Sequence, residues 1–201
     1  MQKSIWIYGA GGMGKETLWL IEEMLANEIN VLGFVDDFKL DTQFKNLPLL
    51  NKIEPNSNVI IAVADSKIRK QIKESNKFDF VNIIHPNIKI HDSNSIGIGN
   101  IICKGVELTV DIKIGDHVII NINSTIGHDA IIENFVSIMF GVHISGNTKI
   151  GNENLIGTGS ITIPAINIGN NNKIGAGTVV IFDIPNEMTV VGSKPKMFEN
   201  K

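Results

Sequence analysis

The chain has 201 residues, a formal net charge of −3 and a single cysteine, Cys103. A mildly acidic chain without a basic stretch argues against nucleic-acid binding, and one cysteine excludes an intrachain disulfide framework. Hydrophobic residues make up 43% of the chain, which is enough for a buried core. The apolar runs are far shorter than the roughly 20 residues that span a bilayer, and no signal-peptide pattern opens the chain. We therefore expect a cytoplasmic protein without membrane insertion.

Residues 1–85 alternate between short apolar strands and helices. A βαβ series of this kind predicts a small parallel sheet with helices packed on it. Leu47-Pro48-Leu49 is expected to be a loop or a short extended piece. The predicted strands are Ser4–Tyr8, Val31–Val35, Val59–Val63 and Val81–Ile84, and the predicted helices are Glu16–Glu28 and Lys67–Glu74, the second capped by Ser66.

A glycine cluster follows the first predicted strand. Gly9, Gly11 and Gly14 match the Gly-x-Gly-x-x-Gly pattern of dinucleotide-binding folds, and Asp36 lies 22 residues after Gly14. About 85 residues make only half of a dinucleotide-binding fold, so the pattern favours one nucleotide over NAD. A plain structural turn is the other explanation of these glycines.

From Ile90 onward the chain has a six-residue repeat. Every sixth residue through Val180 is a branched aliphatic, with Thr162 as the single exception. A period of six fits neither an α-helix nor a long alternating strand, and it is typical of a parallel β-helix. With three hexapeptides in each coil, residues 18 apart stack on one another, and glycine or asparagine serves at the corners.

Within this repeat, Ile126-Gly127-His128-Asp129 resembles the left-handed β-helix acyltransferases. Together with Tyr8–Gly14 and Val35-Asp36-Asp37, the chain is similar to bacterial nucleotide-sugar N-acetyltransferases of the sialic-acid O-acetyltransferase-like group. The ending Val190–Lys196 is close to the Val-x-Gly-x-Pro-Ala-Lys tail of that family. The resemblance implies an α/β Rossmann-like half-domain over residues 1–85 that binds the nucleotide-sugar. An all-β left-handed parallel β-helix with a C-terminal tail would follow over residues 86–201.

The resemblance also implies roles in acyl transfer. His128 would be the general base toward the acceptor amine, a task that suits an imidazole at neutral pH. Gly146 lies one coil further on, and its backbone N–H would face the oxyanion. Asp129 would orient the imidazole, although on a strand its side chain should point away from His128. Asn121 matches an asparagine that binds the sugar or the histidine, and is otherwise a corner residue.

Two ligands follow from the same resemblance. Acetyl-CoA would lie in a groove between neighbouring β-helices, which implies a homotrimer. Two residues depart from the family pattern, because many relatives have a histidine at Ser137 and a histidine or phenylalanine at Met13. The expected coenzyme contacts are Ser137, Gly146, Gly157, Gly159, Ala176 and Gly177. The expected contacts of the nucleotide-sugar are Gly9, Gly11, Gly12, Met13, Gly14, Asp36, Asp37 and Asn121.

The implied activity is acetyl-CoA-dependent N-acetylation of a UDP- or dTDP-linked 4-amino-4,6-dideoxyhexose for a surface polysaccharide. The alternatives are a sugar O-acetyltransferase and a noncatalytic nucleotide-sugar-binding protein. A zinc site of the β-helix carbonic anhydrase kind would need His117, His128 and His143 together. Their separations of 11 and 15 residues do not place them on one spot of neighbouring coils, so no metal is expected.

Overall fold

The computed structural model describes residues 2–192. The end of the tail motif, residues 193–196, lies outside the described residues. No helix within residues 2–192 is long and apolar enough to cross a membrane.

The first part of the chain is a six-stranded sheet with two helices. The strand order is β3-β4-β2-β1-β5-β6, and all neighbouring strands are parallel except β3 and β4. Branched and aromatic side chains such as Ile5, Ile7 and Phe34 are fully buried in it. The elements are β1 (Lys3–Tyr8), α1 (Gly12–Met24), β2 (Ile29–Val35), β3 (Gln43–Phe44), β4 (Leu47–Leu50), β5 (Asn58–Ile61), α2 (Ser66–Ser75) and β6 (Asp79–Phe80).

Residues 83–190 form a β-solenoid of two-residue strands with three faces. Face 1 consists of β7 (Ile83–Ile84), β9 (Ile101–Ile102), β12 (Ile119–Ile120), β15 (Ser137–Ile138), β18 (Leu155–Ile156), β21 (Lys173–Ile174) and β23 (Thr189–Val190). Face 2 consists of β10 (Glu107–Leu108), β13 (Thr125–Ile126), β16 (His143–Ile144), β19 (Ile161–Thr162) and β22 (Val179–Val180). Face 3 consists of β8 (Ser95–Ile96), β11 (Lys113–Ile114), β14 (Ile131–Ile132), β17 (Lys149–Ile150) and β20 (Asn167–Ile168).

The hexapeptide frame explains this solenoid. In most of its strands the second residue is the frame residue, which points inward and pairs with the residue 18 positions away, as Ile102 does with Ile120. These side chains form one continuous apolar core along the solenoid. The corner between faces 3 and 1 is held by a side-chain ladder, in which the amides of Asp116 and Asn134 each donate to the Oδ1 of the asparagine one coil further on.

Three local expectations about the first part of the chain are wrong. The helix predicted over Glu16–Glu28 runs instead from Gly12 to Met24. The predicted strand Val81–Ile84 is divided, because β6 ends at Phe80 and joins the α/β sheet while β7 stacks on β9 in face 1. Val81 and Ile83 are both buried, so the segment has the apolar pattern of a single strand although it contributes to two sheets. The cap of α2 is Asp65 rather than Ser66, since the Asp65 side chain accepts hydrogen bonds from the amides of Lys67 and Ile68. The division at residue 85 stays a prediction.

Helix α2 joins the α/β part to the solenoid through Arg69. This side chain is completely buried, and its guanidinium donates to the carbonyls of His117 and Phe135 and to the hydroxyl of Ser137. Burial lowers the pKa of Arg69. The adjacent Lys70 forms a half-exposed ion pair with Glu153, with 2.6 Å between Nζ and Oε1. The α/β part is therefore fixed against face 1 by a buried polar contact.

Candidate active site

His128 lies at the corner between faces 2 and 3, directly after β13. Its side chain is half exposed, and its Nδ1 lies 2.7 Å from Oδ2 of Asp129. The expectation that Asp129 points away is wrong, because Asp129 is at a corner and not on a strand. Its φ of +58° turns the carboxylate back toward the imidazole. A carboxylate on Nδ1 leaves Nε2 as the nitrogen that can accept a proton from a ligand.

Gly146 lies against the ring of His128. A Cβ at Gly146 would be 2.5 Å from Nε2, so the imidazole occupies the space that any side chain would need. Gly127 is under a similar constraint, since its Cβ would lie 2.6 Å from the backbone nitrogen of Gly146. Both glycines are therefore fixed by the close approach of neighbouring coils at this corner.

The backbone around Gly146 is tied to His128. The amide of Asn147 donates to the carbonyl of His128 over 2.8 Å, and the amide of Ala165 donates to the carbonyl of Gly146 over 3.0 Å. Among residues 2–192, the amide of Gly146 itself donates to no protein acceptor. A proton acceptor and an unused backbone donor are thus held side by side, the two groups that acyl transfer requires.

A second concave site lies in the α/β part, in a cavity of about 550 Å³. It is bounded by the glycine turn after β1, the end of β2 and the outer turns of α2. Of the expected nucleotide-sugar contacts, it contains Gly9, Gly11, Gly12, Met13, Asp36 and Asp37. Sequence reasoning missed Tyr8, Phe38, Ile68, Gln71 and Asn76, which also line it. The position of Phe38 directly after the two carboxylates was the available signal.

The glycines of this turn have separate physical roles. Gly9 has a φ of +110°, and a Cβ there would lie 2.8 Å from the carbonyl oxygen of Ala62. A Cβ at Gly14 would collide with the carbonyl oxygen of Gly9, so Gly14 permits α1 to approach the turn and does not line the cavity. Gly11 and Gly12 have open space where a Cβ would stand, which leaves their backbone accessible from the cavity.

The N-terminus of α1 points its backbone donors into this region. Gly11 is the N-cap, no side chain caps the helix and its first turn contains no acidic residue. The first amides of a helix lack intrahelical partners and carry partial positive charge, so they favour an anion such as a diphosphate. The glycine turn therefore has the chemistry of a phosphate-binding loop.

The two carboxylates after β2 are held differently. Asp36 accepts hydrogen bonds from the amides of Ala10 and Phe38, so it shapes the glycine turn as well as the cavity wall. Asp37 is exposed and accepts a 2.6 Å hydrogen bond from the hydroxyl of Tyr8. Burial, followed by the contact with Asp37, raises the pKa of Tyr8, which keeps its hydroxyl protonated as a donor. Asp37 thus retains free acceptor capacity toward a ligand.

Comparison with known proteins assigns the family. Residues 4–75 match the PglD N-terminal domain. The acetyltransferase domain of PglB from Neisseria gonorrhoeae FA1090, in complex with acetyl coenzyme A, is 31% identical with a TM-score of 0.86 over 96% of this chain and 97% of that chain. The chain belongs to the hexapeptide sugar N-acetyltransferases.

Two further proteins similar to this chain are a GDP-perosamine N-acetyltransferase and a protein that binds GDP-perosamine. GDP-perosamine N-acetyltransferase of Escherichia coli O157:H7 is 29% identical over 169 residues, which are 77% of this chain and 76% of the relative. PerB from Caulobacter crescentus, in complex with CoA and GDP-perosamine, is 25% identical with a TM-score of 0.82 over 94% of each chain. The expected fold class is thereby confirmed: an α/β part followed by a left-handed β-helix.

The expected coenzyme contacts lie far from His128 when both are considered within a single chain. Gly157, Gly159, Ala176 and Gly177 occupy the corner between faces 1 and 2, whereas His128 and Gly146 occupy the corner between faces 2 and 3. Gly159 and Gly177 have positive φ and open space where a Cβ would stand. Face 2 separates the two sets, so one chain does not bring them together.

Two other expected contacts lie inside the fold. Ser137 is completely buried between α2 and face 1, where its hydroxyl donates to the carbonyl of Ala64 and accepts from Arg69. The expectation that Ser137 contacts the coenzyme is therefore wrong. Asn121 is also buried, its Oδ1 accepts from the amide of Ile122, and its Nδ2 has no partner among residues 2–192. It lies at the corner between faces 1 and 2 and not beside His128.

The other two histidines of the hypothetical zinc site, His117 and His143, have different surroundings. His117 is buried and stacked on Phe135, with 5.2 Å between ring centroids, and burial lowers its pKa to about 4. His143 contacts the hydroxyl of Thr125 through Nδ1 over 2.9 Å. Within the described part of the chain, no three His, Cys, Asp or Glu side chains gather as a metal site.

Proposed function

We propose that this chain transfers the acetyl group of acetyl-CoA to the amine of a nucleotide-linked 4-amino-4,6-dideoxyhexose. The observation that carries the proposal is the arrangement of His128, Asp129 and Gly146 at one corner. Asp129 lies 2.7 Å from Nδ1 of the imidazole, and the backbone of Gly146 lies directly against Nε2. A binding protein without catalytic activity has no need for a proton acceptor beside an unused amide.

The chemistry assigned to these residues is general-base acyl transfer. Nε2 of His128 accepts the proton as the amine nitrogen forms its bond to the thioester carbonyl carbon. The N–H of Gly146 donates to the oxygen of that carbonyl while it carries negative charge, which is worth roughly 3–4 kcal/mol in other acyl-transfer enzymes. The imidazolium of His128 can then return its proton when the carbon–sulfur bond breaks and the thiol leaves. Asp129 stabilises the imidazolium between these two steps.

The acceptor side of the proposal rests on the 550 Å³ cavity. The amides at the start of α1 suit a diphosphate, and the free acceptor atoms of Asp37 suit a ribose hydroxyl or a base N–H. Relatives that act on GDP-perosamine support an amino-sugar nucleotide as the class of substrate. They add GDP to UDP and dTDP as nucleotides to be tested.

The proposed site requires an oligomer of this chain. His128 and Gly146 lie at one edge of face 2, and the expected coenzyme contacts from Gly157 to Gly177 lie at the opposite edge. A complete site therefore needs a second chain. Large apolar side chains stay exposed on and beside that face: Ile161, Ile163, Val179, Ile181 and Phe182. Exposed apolar groups of this kind are typical of a subunit interface. We infer a homotrimer with coenzyme A bound between neighbouring solenoids.

The proposed function is tested by supplying acetyl-CoA with UDP-, dTDP- and GDP-linked 4-amino sugars and measuring free thiol and product mass. We expect thiol release that depends on one of these acceptors and a product that carries one added acetyl group. Absence of acetylated product with every acceptor would refute the proposal. Specific binding of one sugar nucleotide without turnover would instead support a noncatalytic binding protein.

A further inference from the structure

Thr162 is the one residue of the hexapeptide frame, from Ile90 to Val180, that is not a branched aliphatic. It is the second residue of β19 in face 2, it points into the core, and it is only 2% exposed. A buried hydroxyl among aliphatic side chains is unfavourable unless it forms hydrogen bonds. The hydroxyl of Thr162 does form them, and its partners belong to the corner that contains Gly146.

The backbone ladder of face 2 is irregular at this position. At the equivalent position one coil earlier, the amide of Gly127 donates to the carbonyl of Ile144, which is the regular ladder bond. The amide of Ser145 instead donates to Oγ1 of Thr162 over 2.9 Å, and the hydroxyl of Ser145 donates to the carbonyl of Thr162 over 2.6 Å. Accordingly, β16 and β19 pair at only one residue, whereas β13 with β16 and β19 with β22 pair at both.

The hydroxyl of Thr162 also contacts Thr148, at the other end of the corner that contains Gly146. Oγ1 of Thr162 lies 3.3 Å from Oγ1 of Thr148, which is also completely buried. The corner from Ser145 to Thr148 is therefore held from inside at both ends by one side chain. Gly146 is the second of its four residues, and its amide belongs to the peptide that begins at Ser145.

We propose that Thr162 is a positioning residue that orients the Ser145–Gly146 peptide so that the Gly146 amide faces the reacting carbonyl beside His128. This inference rests on the proposed function. With an aliphatic residue at position 162, the Ser145 amide would take the regular ladder bond to the carbonyl of that residue. The Ile144–Ser145 peptide, which carries the Ser145 N–H, would then rotate. The adjoining Ser145–Gly146 peptide would shift with it and change the direction of the Gly146 N–H. A backbone donor that stabilises an oxyanion is effective only within a narrow distance and direction.

The matched pair Thr162→Val and Thr162→Ser separates the hydroxyl from the shape of the side chain. Valine has the shape of threonine and suits an aliphatic frame, so we expect Thr162→Val to fold and to melt close to the native protein. Its kcat should fall at least about tenfold, while KM for both substrates changes less than about twofold, because the interaction acts on the transition state. Thr162→Ser keeps the hydroxyl and should retain most of kcat. Ile168→Val, a core change on face 3, is the control and should leave kcat unchanged.

Crystal structures of the same variants test the geometry without reference to activity. In Thr162→Val, we expect the Ser145 amide to bond to the carbonyl at position 162 and the Ser145–Gly146 peptide to be rotated. A corner that is unchanged in that structure would overturn the proposal, as would a native kcat in Thr162→Val or an equal loss in Thr162→Ser. If the native chain acetylates no sugar nucleotide, the proposed function fails, and the crystal structure alone decides the role of Thr162.

Discussion

The chemistry proposed for this chain depends on three residues at one corner of the solenoid. Asp129 holds Nδ1 of His128, and the absence of a side chain at Gly146 makes room for the ring. Each residue is of the only type that suits its place: an imidazole for proton transfer, a carboxylate to orient it and a glycine for close approach. Replacement of any one of them should therefore affect the reaction more than the fold.

The first expected result concerns His128. His128→Ala removes the proposed base from an exposed site, so kcat/KM should fall by at least roughly 10² with assembly and melting temperature unchanged. The control is His91→Ala, which removes an exposed histidine near the start of the solenoid and should leave turnover at the native level. Steady-state kinetics decides the matter, and near-native turnover in His128→Ala would exclude this residue as the base.

A second result concerns the carboxylates of the α/β cavity. Asp37→Ala should weaken binding of the nucleotide-sugar about 10- to 100-fold through loss of a charged hydrogen-bond acceptor, and leave acetyl-CoA binding unchanged. Asp36→Ala should also destabilise the glycine turn, because Asp36 accepts from the amide of Ala10. Asp41→Ala, an exposed neighbour in the same loop, is the control. Titration calorimetry measures both ligands, and a parallel loss of acetyl-CoA affinity, or micromolar binding of NAD, would contradict the assignment.

At the scale of elements, helix α2 fixes the α/β part to the solenoid through two adjacent cations in different surroundings. Arg69 is completely buried and donates to backbone carbonyls, whereas Lys70 forms a half-exposed ion pair with Glu153. Removal of a buried donor leaves its acceptors without partners, while a solvated ion pair contributes little. The two neighbours should therefore differ strongly in their effect on stability.

Arg69→Met and Lys70→Met provide the comparison. We expect Arg69→Met to lower the free energy of unfolding by at least about 2 kcal/mol, because several buried carbonyls lose their donor. Lys70→Met should lower it by less than about 1 kcal/mol. Urea unfolding of both variants measures the difference. Equal losses would mean that the buried contact of Arg69 does not hold the two parts together.

The solenoid could be predicted from the sequence because one inward residue of fixed type marks each strand. The hexapeptide frame does not reveal the role of Thr162, its one residue that is not a branched aliphatic. The partners of the Thr162 hydroxyl lie 14 and 17 residues away in the sequence, and one of them is a backbone amide. The direction of the Asp129 side chain depends on a positive φ at a corner, which residue type alone does not reveal. The resemblance implies a coenzyme contact at Ser137, whereas its burial depends on how α2 packs on face 1, which the residue type does not reveal.

At the scale of the whole molecule, the arrangement of the three faces makes the proposed site a shared one. His128 and the glycine-rich corner around Ala176 flank face 2 on opposite edges, so each proposed site would combine two chains. The exposed apolar residues of face 2 and its neighbouring corner provide the surface that such an assembly would bury. Sedimentation of the native chain should therefore give an active oligomer, and an active monomer would contradict the shared site.

Subunit complementation tests the same point. His128→Ala should inactivate one component of the proposed site, and Ala176→Trp should block the proposed coenzyme groove, so each variant alone should be inactive. Coexpressed chains that assemble at random should recover about a quarter of native activity. About half of the sites receive a chain with intact His128, and about half of those also receive a neighbour with intact Ala176. Recovery of no activity, despite isolation of mixed oligomers with two affinity tags, would place the complete site within one chain.

The activity proposed for this chain is transfer of an acetyl group to a sugar amine with His128 as the base. The most direct measurement supplies acetyl-CoA with two nucleotide-linked 6-deoxyhexoses that differ only in an amine or a hydroxyl at C4, and records free thiol and product mass. We predict that the native chain acetylates the amine compound alone, and that His128→Ala reduces this rate by at least roughly 10². Acetylation of the hydroxyl compound at an equal or higher rate would contradict N-acetylation, and transfer to the amine that is independent of His128 would exclude His128 as the base.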